Sequence, residues 1–548
     1  MRIDSIPLTP NGKTNRKALP VPTIRLEEIV LPANERETLL LDVMKAHLHV
    51  EELGVTTNLV SMGLSSIGAM RLSARLFQHH NLRVSVKDII EHPTVREMAE
   101  LAESGEVVRY RPYEKRRTYP LSEAQKGMLV DCLVNTDALQ YNIACALKYK
   151  DIDVDRLKKA IVDVCEAHPY IKARIKAEEG DYVQLRNDEE PVEIEERKLD
   201  FEPDRAFLQS QVQPFDVLNE KLYRFRLFIA PSYTYLFIDI HHLISDGSSN
   251  YILAREMEKA YNGQPLSREE YTAFDRAIDE ENIMKSERGV EAEQYFDRLI
   301  NGTEATVYPH STDLDGDTVY GETAGTIPSE AILAFCKENA IAPSSFFLTV
   351  FHHVLQRVTR DESTLVYFIS NGRSEVQLEN FFGVFVKTMP TVVGSFNGDI
   401  VESVRAMHRQ MLDTIAHDYY PFTKMTERYG LKAEILYNYF VDLQTSVNLG
   451  SGAVESIGLD WDTAKTPLSV TITRDRDGNF VSSLEYDARL YNGHDMRSLN
   501  RAYCAFAENC VKCAGPLSQV SLVSDSDLPA LLSLSRGEKM EVDFGRTF

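Results

Sequence analysis

Two adjacent histidines follow an apolar strand pattern in the stretch FIDIHHLISDG, residues 237–247. Histidine suits the acceptance or steering of a proton, because its ordinary pKa lies closest to neutral pH. Successive strand residues point to opposite faces, so His241 and His242 cannot both face one cleft. Asp246 can pair with a basic group, and Gly247 relieves the backbone of the turn. The pattern leaves structure, metal binding and catalysis open, although diverging side chains without a third ligand disfavour a metal.

A second candidate for chemistry is the stretch NLVSMGLSSIGAMRLSARL, residues 58–76. Gly63 allows a tight loop, and Ser65 and Ser66 stand where a helix begins. The free amides and the dipole of a helix N-terminus favour an attached phosphate. Serine is also an ordinary N-cap residue, so a purely structural interpretation competes with attachment.

Helical periodicity surrounds the second candidate. Asn34 and Glu37 form a start that resembles a capping box, and apolar residues recur at helical spacing to about residue 103. This pattern predicts a four-helix unit of about 70 residues. Beyond it, helical stretches alternate with strands such as Tyr233–Ile240 as far as about residue 530. Because about 410 residues exceed one core, we expect α/β or α+β architecture in two lobes.

Composition narrows the possible partners and compartment. The chain has 548 residues, a formal net charge of −23 and a pI near 5.1, which argues against nucleic acid or an anionic membrane surface. We find neither an apolar run of membrane-spanning length nor the apolar core of a signal peptide. The seven cysteines are scattered, and the close pair Cys510 and Cys513 favours buried packing over a metal or redox site. A reduced, cytoplasmic setting fits best.

The serine stretch resembles the phosphopantetheine attachment site of peptidyl carrier proteins. Their Leu-Gly-Gly-X-Ser-Leu core is matched by Met-Gly-Leu-Ser-Ser-Ile at 62–67, with Leu64 in place of the second glycine. The resemblance implies that 4'-phosphopantetheine is attached to Ser66 and not to Ser65. IPLTPNGKTNRKALP, residues 6–20, resembles the last motif of adenylation domains in nonribosomal peptide synthetases. The lysine that reaches the adenylate site in that family is Lys13 here, where it lacks a site to complete.

HHLISDG matches the HHxxxDG signature of the condensation domains of those synthetases. Four further stretches resemble motifs of that family in the same order, namely YPLSEAQKGM (119–128), NGRSEVQLENFFGVFVKTMP (371–390), HDYYPFTKM (417–425) and ILYNYF (435–440). Five ordered matches identify the large region as a condensation domain. The resemblance implies a two-lobed fold like that of chloramphenicol acetyltransferase, preceded by an all-α four-helix carrier domain.

The resemblance also implies a domain order. The expected segments are residues 1–22 for the end of an adenylation domain, 33–103 for the carrier, 104–118 for a linker, 119–530 for the condensation domain with lobes of about 119–285 and 286–530, and 531–548 for the lead-in to a next module. The implied partners are an upstream adenylation domain, downstream adenylation and carrier domains, and a phosphopantetheinyl transferase.

In this family the second histidine faces a tunnel, so His242 would orient or deprotonate the attacking amine. The backbone amide of Gly247 would help to place the thioester or its oxyanion, while His241 and Asp246 would be mainly structural. Since Ala167 stands where the family has an arginine partner for that aspartate, we expect Arg373 to take its place.

Two further departures from the family pattern bear on the shape of the tunnel. Ser248 often corresponds to a tryptophan, and Lys387 replaces the asparagine of Val-Asn-Thr. Either change could reshape the tunnel or its acceptor side without removing the histidine.

The sequence therefore predicts a peptide-bond-forming acyltransferase. The carrier would hold an aminoacyl or peptidyl thioester, which the amine of a downstream aminoacyl carrier would attack. We expect an L-configured donor, because no epimerisation domain separates the carrier from the condensation domain. The alternatives are an epimerisation domain, which shares HHxxxDG but has other signatures that we do not find, and a non-catalytic platform that recruits partners. Heterocyclisation domains replace the histidines with aspartates, which this chain does not do.

Overall fold

The chain forms two compact units that divide between Val107 and Val108, and each is described by itself. The structure is a computed structural model. It describes residues 29–534 except 49, 51, 61, 63, 65–67, 70–71, 74–75, 77–79, 81, 85, 105–110, 317, 340, 374–377, 379, 396–397, 442–454, 460–463 and 514. The proposed adenylation remnant and Lys13 therefore lie outside the described residues.

The first unit is a small helical domain. Its elements are α1 (Glu35–Leu48), β1 (Leu82–Arg83), α2 (Val86–Glu91), α3 (Val95–Leu101) and β2 (Glu103–Ser104). The described positions between 68 and 80 are helical as well, and β1 pairs with β2 in a short antiparallel ladder.

Two capping interactions and a compact apolar core stabilise this unit. Asn34 caps α1 by accepting the backbone N–H of Glu37 at 2.8 Å, and the Glu37 carboxylate accepts the Ala33 N–H at 2.6 Å. Apolar side chains from all its helices fill the core, including Leu40, Met44, Leu72, Ile89 and Met98. The sequence prediction of a helical carrier fold is confirmed, with the two-residue ladder as an addition.

The second unit alternates helices and strands, as predicted. Its first part contains β3 (Thr118–Pro120), α4 (Glu123–Val134), β4 (Asn142–Tyr149), α5 (Val154–Ala167), β5 (Arg174–Glu178), β6 (Asp181–Leu185), β7 (Ile194–Lys198), α6 (Arg205–Ser210), β8 (Tyr223–Ile229), β9 (Thr234–His241), α7 (Gly247–Tyr261) and α8 (Ala273–Met284).

Its second part continues the alternation. The elements are α9 (Glu287–Ile300), β10 (Tyr320–Ile327), α10 (Ser329–Glu338), α11 (Pro343–Thr359), β11 (Thr364–Ser370), β12 (Lys387–Val393), α12 (Ile400–Ala416), α13 (Phe422–Tyr429), β13 (Ile435–Tyr439), β14 (Glu455–Gly458), β15 (Leu468–Arg474), β16 (Phe480–Asp487), α14 (Gly493–Cys510) and α15 (Leu528–Leu534).

Two sheets organise this unit. One has the strand order β14-β4-β9-β8-β7, and the other has the order β10-β16-β15-β13-β11-β12. A smaller sheet of order β3-β6-β5 lies in the first part. Separate apolar cores accompany the two large sheets, so the expected two lobes have a physical counterpart.

The second lobe contributes chain segments to the first. Leu378, Phe382 and Phe385 follow β11 in sequence but are buried in the core of the first lobe. Strand β14 also leaves the second lobe and pairs antiparallel with β4, where Gly458 lies opposite Cys145. These two segments bring residues that are far apart in sequence to the end of β9.

None of the described helices combines the length and the apolar character needed to cross a bilayer.

Candidate active site at the end of strand β9

Strand β9 presents the histidine doublet from the middle of its sheet. The strand lies between β4 and β8, and all eight of its residues are buried. The His241 N–H donates to Leu222 O at 2.8 Å, and the His242 N–H donates to Tyr141 O at 2.6 Å. Two backbone hydrogen bonds therefore fix the doublet before the chain turns into α7.

His241 packs inward. Its side chain is 3% exposed, and its Nδ1 accepts the Leu243 N–H at 3.1 Å. Since Nδ1 is an acceptor, Nε2 carries the proton and lies 3.7 Å from Cys132 Sγ. Burial lowers the pKa of His241 to about 3, so the ring stays uncharged at neutral pH. These contacts describe a packed, hydrogen-bonded side chain.

His242 has the opposite environment. Its side chain is partly exposed, and its buried Nδ1 has no hydrogen-bond partner among the described residues. The Tyr141 ring meets the imidazole edge-on, with ring centroids 6.4 Å apart. Burial lowers the pKa of His242 to about 4, and the Lys465 charge adds to this effect while Asp246 opposes it. The imidazole is therefore uncharged and able to accept a hydrogen bond at neutral pH.

Asp246 is a fully buried anchor. Its Oδ2 accepts Arg373 Nη1 at 2.8 Å and the Phe385 N–H at 2.9 Å, while its Oδ1 accepts Arg373 Nη2 at 3.0 Å and the Ser249 N–H at 2.8 Å. Burial alone would raise the pKa of Asp246, but the guanidinium and these hydrogen bonds lower it overall. The arginine pairing inferred from the change at Ala167 is present, while the roles of both residues remain predictions.

Gly247 begins α7 beside this anchor. It is exposed, and a Cβ built there would meet nothing within 4 Å. The first N–H groups of a helix lack intrahelical partners. Within the part of the chain that the structure describes, the Gly247 N–H has no acceptor. The geometry thus leaves an open amide donor five residues after His242.

The turn between the doublet and Asp246 is held from α4. Gln125 Nε2 donates to Leu243 O at 2.7 Å and to Tyr170 Oη at 2.9 Å, while its Oε1 accepts the Ser122 N–H at 2.9 Å. This glutamine belongs to the stretch YPLSEAQKGM (119–128), which resembles a condensation domain motif. Its amide therefore ties that early stretch directly to the histidine turn.

Lys387 is paired and nearly buried. Its Nζ lies 2.6 Å from Glu280 Oε1, with side-chain exposures of 10% and 8%. Burial would raise the pKa of Glu280, and the lysine charge lowers it overall. A depression of about 240 Å³ beside α8 is lined by Glu280, Glu123 and Lys424 rather than by His242. This depression therefore does not include His242. The imidazole can be reached from solvent because part of its own surface is exposed.

Two charged residues around the site were not found from the sequence. Lys465 lies on the segment that leads from β14 in one sheet to β15 in the other. It is exposed, yet enough protein surrounds it for desolvation to lower its pKa. Among the described residues, no carboxylate lies within ion-pair distance of its ammonium.

Glu269 is the other missed residue. Its Oε1 lies 2.7 Å from His168 Nδ1 and accepts the Phe382 N–H at 2.7 Å. Both side chains are buried, and burial raises the pKa of Glu269. Glu269 holds the segment that contains Phe382 and Phe385, and the Phe385 N–H contacts Asp246. The His168–Glu269 pair therefore supports the site indirectly.

The architecture around the doublet is matched by known proteins. A family model described as "Condensation domain" matches residues 115–532. The chain belongs to the condensation domain family. A second model, "Phosphopantetheine attachment site", matches residues 38–102, so a carrier domain precedes the condensation domain.

Relatives of this condensation domain chain are peptide synthetase subunits. Surfactin synthase subunit 1 of Bacillus subtilis (strain 168) is 26% identical over 577 aligned positions, which cover 100% of this chain and 16% of the relative. Tyrocidine synthase 3 of Brevibacillus parabrevis is 25% identical, with coverage of 100% and 9%. The chain thus spans a small fraction of these relatives.

Solved structures share the condensation domain fold. The X-domain from teicoplanin biosynthesis has a TM-score of 0.66 and 16% identity, covering 75% of this chain and 99% of that one. The condensation domain from Monacolin K polyketide synthase has a TM-score of 0.64 and 16% identity, covering 74% and 100%. At these identities the likeness concerns the fold.

The carrier domain implies 4'-phosphopantetheine as its covalent group. Ser66, the predicted attachment residue, lies outside the described residues. The neighbours Leu64 and Ala69 are 5% and 0% exposed and belong to the carrier core. The adenylation remnant at 1–22 precedes both matched regions and stays a prediction.

Proposed function

We propose that this chain takes part in nonribosomal peptide synthesis, and that its condensation domain forms an amide bond between a carrier-bound acyl group and an incoming amine. The observation that carries the proposal is the state of His242, which is partly exposed, uncharged at neutral pH and unpartnered at Nδ1 among the described residues. Such an imidazole is suited to contact an amine nucleophile.

The chemistry needs one bond formed and one broken. The amine nitrogen attacks the thioester carbonyl carbon, the C–N bond forms, the C–S bond breaks, and the amine proton ends on the departing thiol. His242 would orient the amine or accept its proton during this exchange. The open N–H of Gly247 would donate to the carbonyl oxygen as it gains negative charge. Phosphopantetheine supplies the tethered thiol to which the acyl donor is attached.

Rigid support for these two groups comes from residues away from the reacting atoms. Asp246 and Arg373 fix the start of α7, and Gln125 fixes the turn before it. The tethering of the donor raises its local concentration, which alone supplies part of the acceleration. Loss of His242 is therefore expected to reduce the rate less than loss of a nucleophile in a protease triad.

The proposed partners follow from this reaction. An adenylation domain would load the carrier, a downstream aminoacyl carrier would deliver the acceptor amine, and a phosphopantetheinyl transferase would modify Ser66. We expect an L-configured donor, and a D residue at the new bond in the product would contradict this.

Loading of the carrier is tested by intact mass after treatment with coenzyme A and a phosphopantetheinyl transferase. The wild-type chain should gain one phosphopantetheine, the Ser66→Ala variant should gain none, and the matched Ser65→Ala variant should still be modified. A mass gain that persists in Ser66→Ala would overturn the attachment site.

Amide formation is tested with the loaded chain carrying an acyl donor and a small amine or an acceptor thioester. Release of the amide supports the proposal. The competing function is a non-catalytic platform, which gains support from a solved neighbour described as a complex of the X-domain and OxyB, with a TM-score of 0.66. A loaded chain that binds partners but makes no amide would favour the platform.

A further inference from the structure

The aromatic residue in front of strand β4 contacts both members of the histidine doublet. Tyr141 immediately precedes β4, and its carbonyl accepts the His242 N–H at 2.6 Å. The centroid of its ring lies 6.2 Å from that of His241 and 6.4 Å from that of His242. Interacting aromatic rings have centroids about 4.5–7 Å apart. Tyr141 therefore meets the doublet through its backbone and through its ring.

The far end of this tyrosine is held at helix α4. Burial, and then the charge of Asp131, raises the pKa of the Tyr141 hydroxyl, so the phenol keeps its proton and can donate it to this carboxylate. Asp131 is itself held, because its Oδ1 accepts Asn135 Nδ2 at 2.8 Å and its Oδ2 accepts Gln140 Nε2. The ring is thus held by α4 at its hydroxyl and by the hydrogen bond to the doublet at its backbone.

The His242 imidazole lacks a comparable hold of its own. The buried Nδ1 of His242 has no hydrogen-bond partner among the described residues, whereas the Nδ1 of His241 accepts the Leu243 N–H at 3.1 Å. A ring without such a bond can turn between side-chain rotamers, and each turn moves the nitrogen that an amine would meet. Packing must then supply the orientation, and the Tyr141 ring packs edge-on against this imidazole.

We propose that Tyr141 is a positioning residue whose ring holds the His242 imidazole in its reactive orientation and keeps water from its buried nitrogen. This role rests on the proposed amide-forming function, and it acts through His242 rather than on the substrate. The ring is the part that contacts the imidazole, while the hydroxyl anchors the ring at α4. Phenylalanine should therefore preserve most of the effect, and leucine should not.

Loss of the ring should change the protonation of His242 as well as its orientation. Burial is the largest cause that lowers its pKa to about 4, and the charges of Lys465 and Asp246 and the carbonyl of the same residue act on it too. His241 is uncharged, and Asp131 lies at the tyrosine hydroxyl. All these groups remain when the ring is removed. Water admitted beside the imidazole would relieve part of its burial and raise its pKa by about one unit.

The test measures orientation and protonation separately on the full chain loaded at Ser66. Single-turnover amide formation at pH 8 reports orientation, because the imidazole is uncharged there in every variant. Tyr141→Leu should lower this rate by about two- to tenfold, and Tyr141→Phe should retain most of it. Tyr233→Leu is the matched control and should react as fast as the wild type. Tyr233 is also partly exposed, lies just before β9, and its ring contacts Lys148 instead of a histidine.

Protonation is measured by NMR titration of the histidine-labelled chain, in which His242→Ala identifies the resonance of His242. The pKa of His242 should rise by about one unit in Tyr141→Leu and stay at the wild-type value in Tyr141→Phe and Tyr233→Leu. If denaturant titration shows that Tyr141→Leu does not fold, Tyr141→Met replaces it, because the flexible methionine side chain fills irregular space without supplying a ring.

Each result decides a different point. A wild-type rate in Tyr141→Leu, or an equal loss in Tyr141→Phe and Tyr141→Leu, would overturn the positioning role of the ring. An unchanged pKa of His242 in Tyr141→Leu would overturn the exclusion of water. A wild-type chain that makes no amide would overturn the proposed function and the role in the reaction with it, while the NMR titration would still show whether the ring shields the imidazole.

Discussion

The condensation domain contains two adjacent histidine pairs in different elements. His241 and His242 end strand β9, whereas His352 and His353 lie in the middle of helix α11. In the strand, neighbouring side chains take opposite faces, so one ring is buried and the other is partly exposed. In the helix, residues 345–355 are all buried, and both rings lie inside the core. The same dipeptide therefore meets two different environments.

The difference shows how the element decides the use of a histidine. His352 has a threonine hydroxyl at each nitrogen, Thr364 at 2.8 Å and Thr391 at 2.9 Å, so its polar groups are satisfied by the protein. The Nδ1 of His242 has no such partner among the described residues. A ring whose hydrogen bonds are complete contributes to stability, while a partly exposed ring whose hydrogen bonds are incomplete is available for chemistry.

The largest expected effect concerns the Asp246–Arg373 ion pair, which fixes the start of α7 after the strand histidines. Arg373→Met would leave the fully buried Asp246 without its cation, and breaking such a pair typically costs about 3–5 kcal/mol. We expect a large fall in the free energy of unfolding, measured by denaturant titration. The exposed Arg476→Met is the control and should change little. An unchanged midpoint in Arg373→Met would mean that the ion pair does not support the site.

The next effect concerns the helical pair. His352→Ala removes two buried hydrogen bonds and leaves a cavity, which predicts a loss of about 2–4 kcal/mol in the free energy of unfolding. The rate of amide formation per folded molecule should not change. If this variant were stable but slow, the distinction between the two pairs would be wrong.

The cost of that substitution should depend on pH. Burial lowers the pKa of His352 to about 3, whereas the unfolded chain binds the proton near the ordinary value. Its stabilising contribution is therefore complete above about pH 6.5 and is lost as the pH falls towards 3. The destabilisation caused by His352→Ala should shrink by up to about 2 kcal/mol between pH 7 and pH 5. A constant cost in denaturant titrations at the two pH values would contradict the buried, uncharged state.

A smaller effect is expected from the charge beside the strand pair. Lys465→Met removes a cation that lowers the pKa of His242, so the acidic limb of the rate profile should move upward by up to about one pH unit. Rates at pH 8 should match those of the wild type, because the imidazole is uncharged in both. Lys465→Arg should keep the original limb, and the exposed Lys432→Met serves as the control. If the acidic limb of the rate profile does not move in Lys465→Met, this lysine does not lower the pKa of His242.

The features that depend on local sequence pattern could be predicted from the sequence. The strand before His242 follows from apolar residues and period-two geometry, and the start of α1 follows from Asn34. The Asp246–Arg373 pair spans 127 positions, and it could be proposed because Ala167 removed the usual partner.

The positions of Lys465 and Glu269 at the site could not be predicted from the sequence. The position of Lys465 depends on β14, whose four residues ESIG carry a weak strand signal and pair with β4 more than 300 positions earlier. Glu269 meets its partners His168 and Phe382 only after both lobes have folded. Long-range register of this kind is set by tertiary packing and is not visible in local periodicity.

Single-turnover amide formation by the chain loaded at Ser66 tests the central claim most directly, with the wild type compared to His242→Ala. We predict a rate loss of about 100-fold in the variant, with unchanged loading and a free energy of unfolding within about 1 kcal/mol of the wild type. A variant that forms amide as fast as the wild type would contradict the assignment of this imidazole to the reaction.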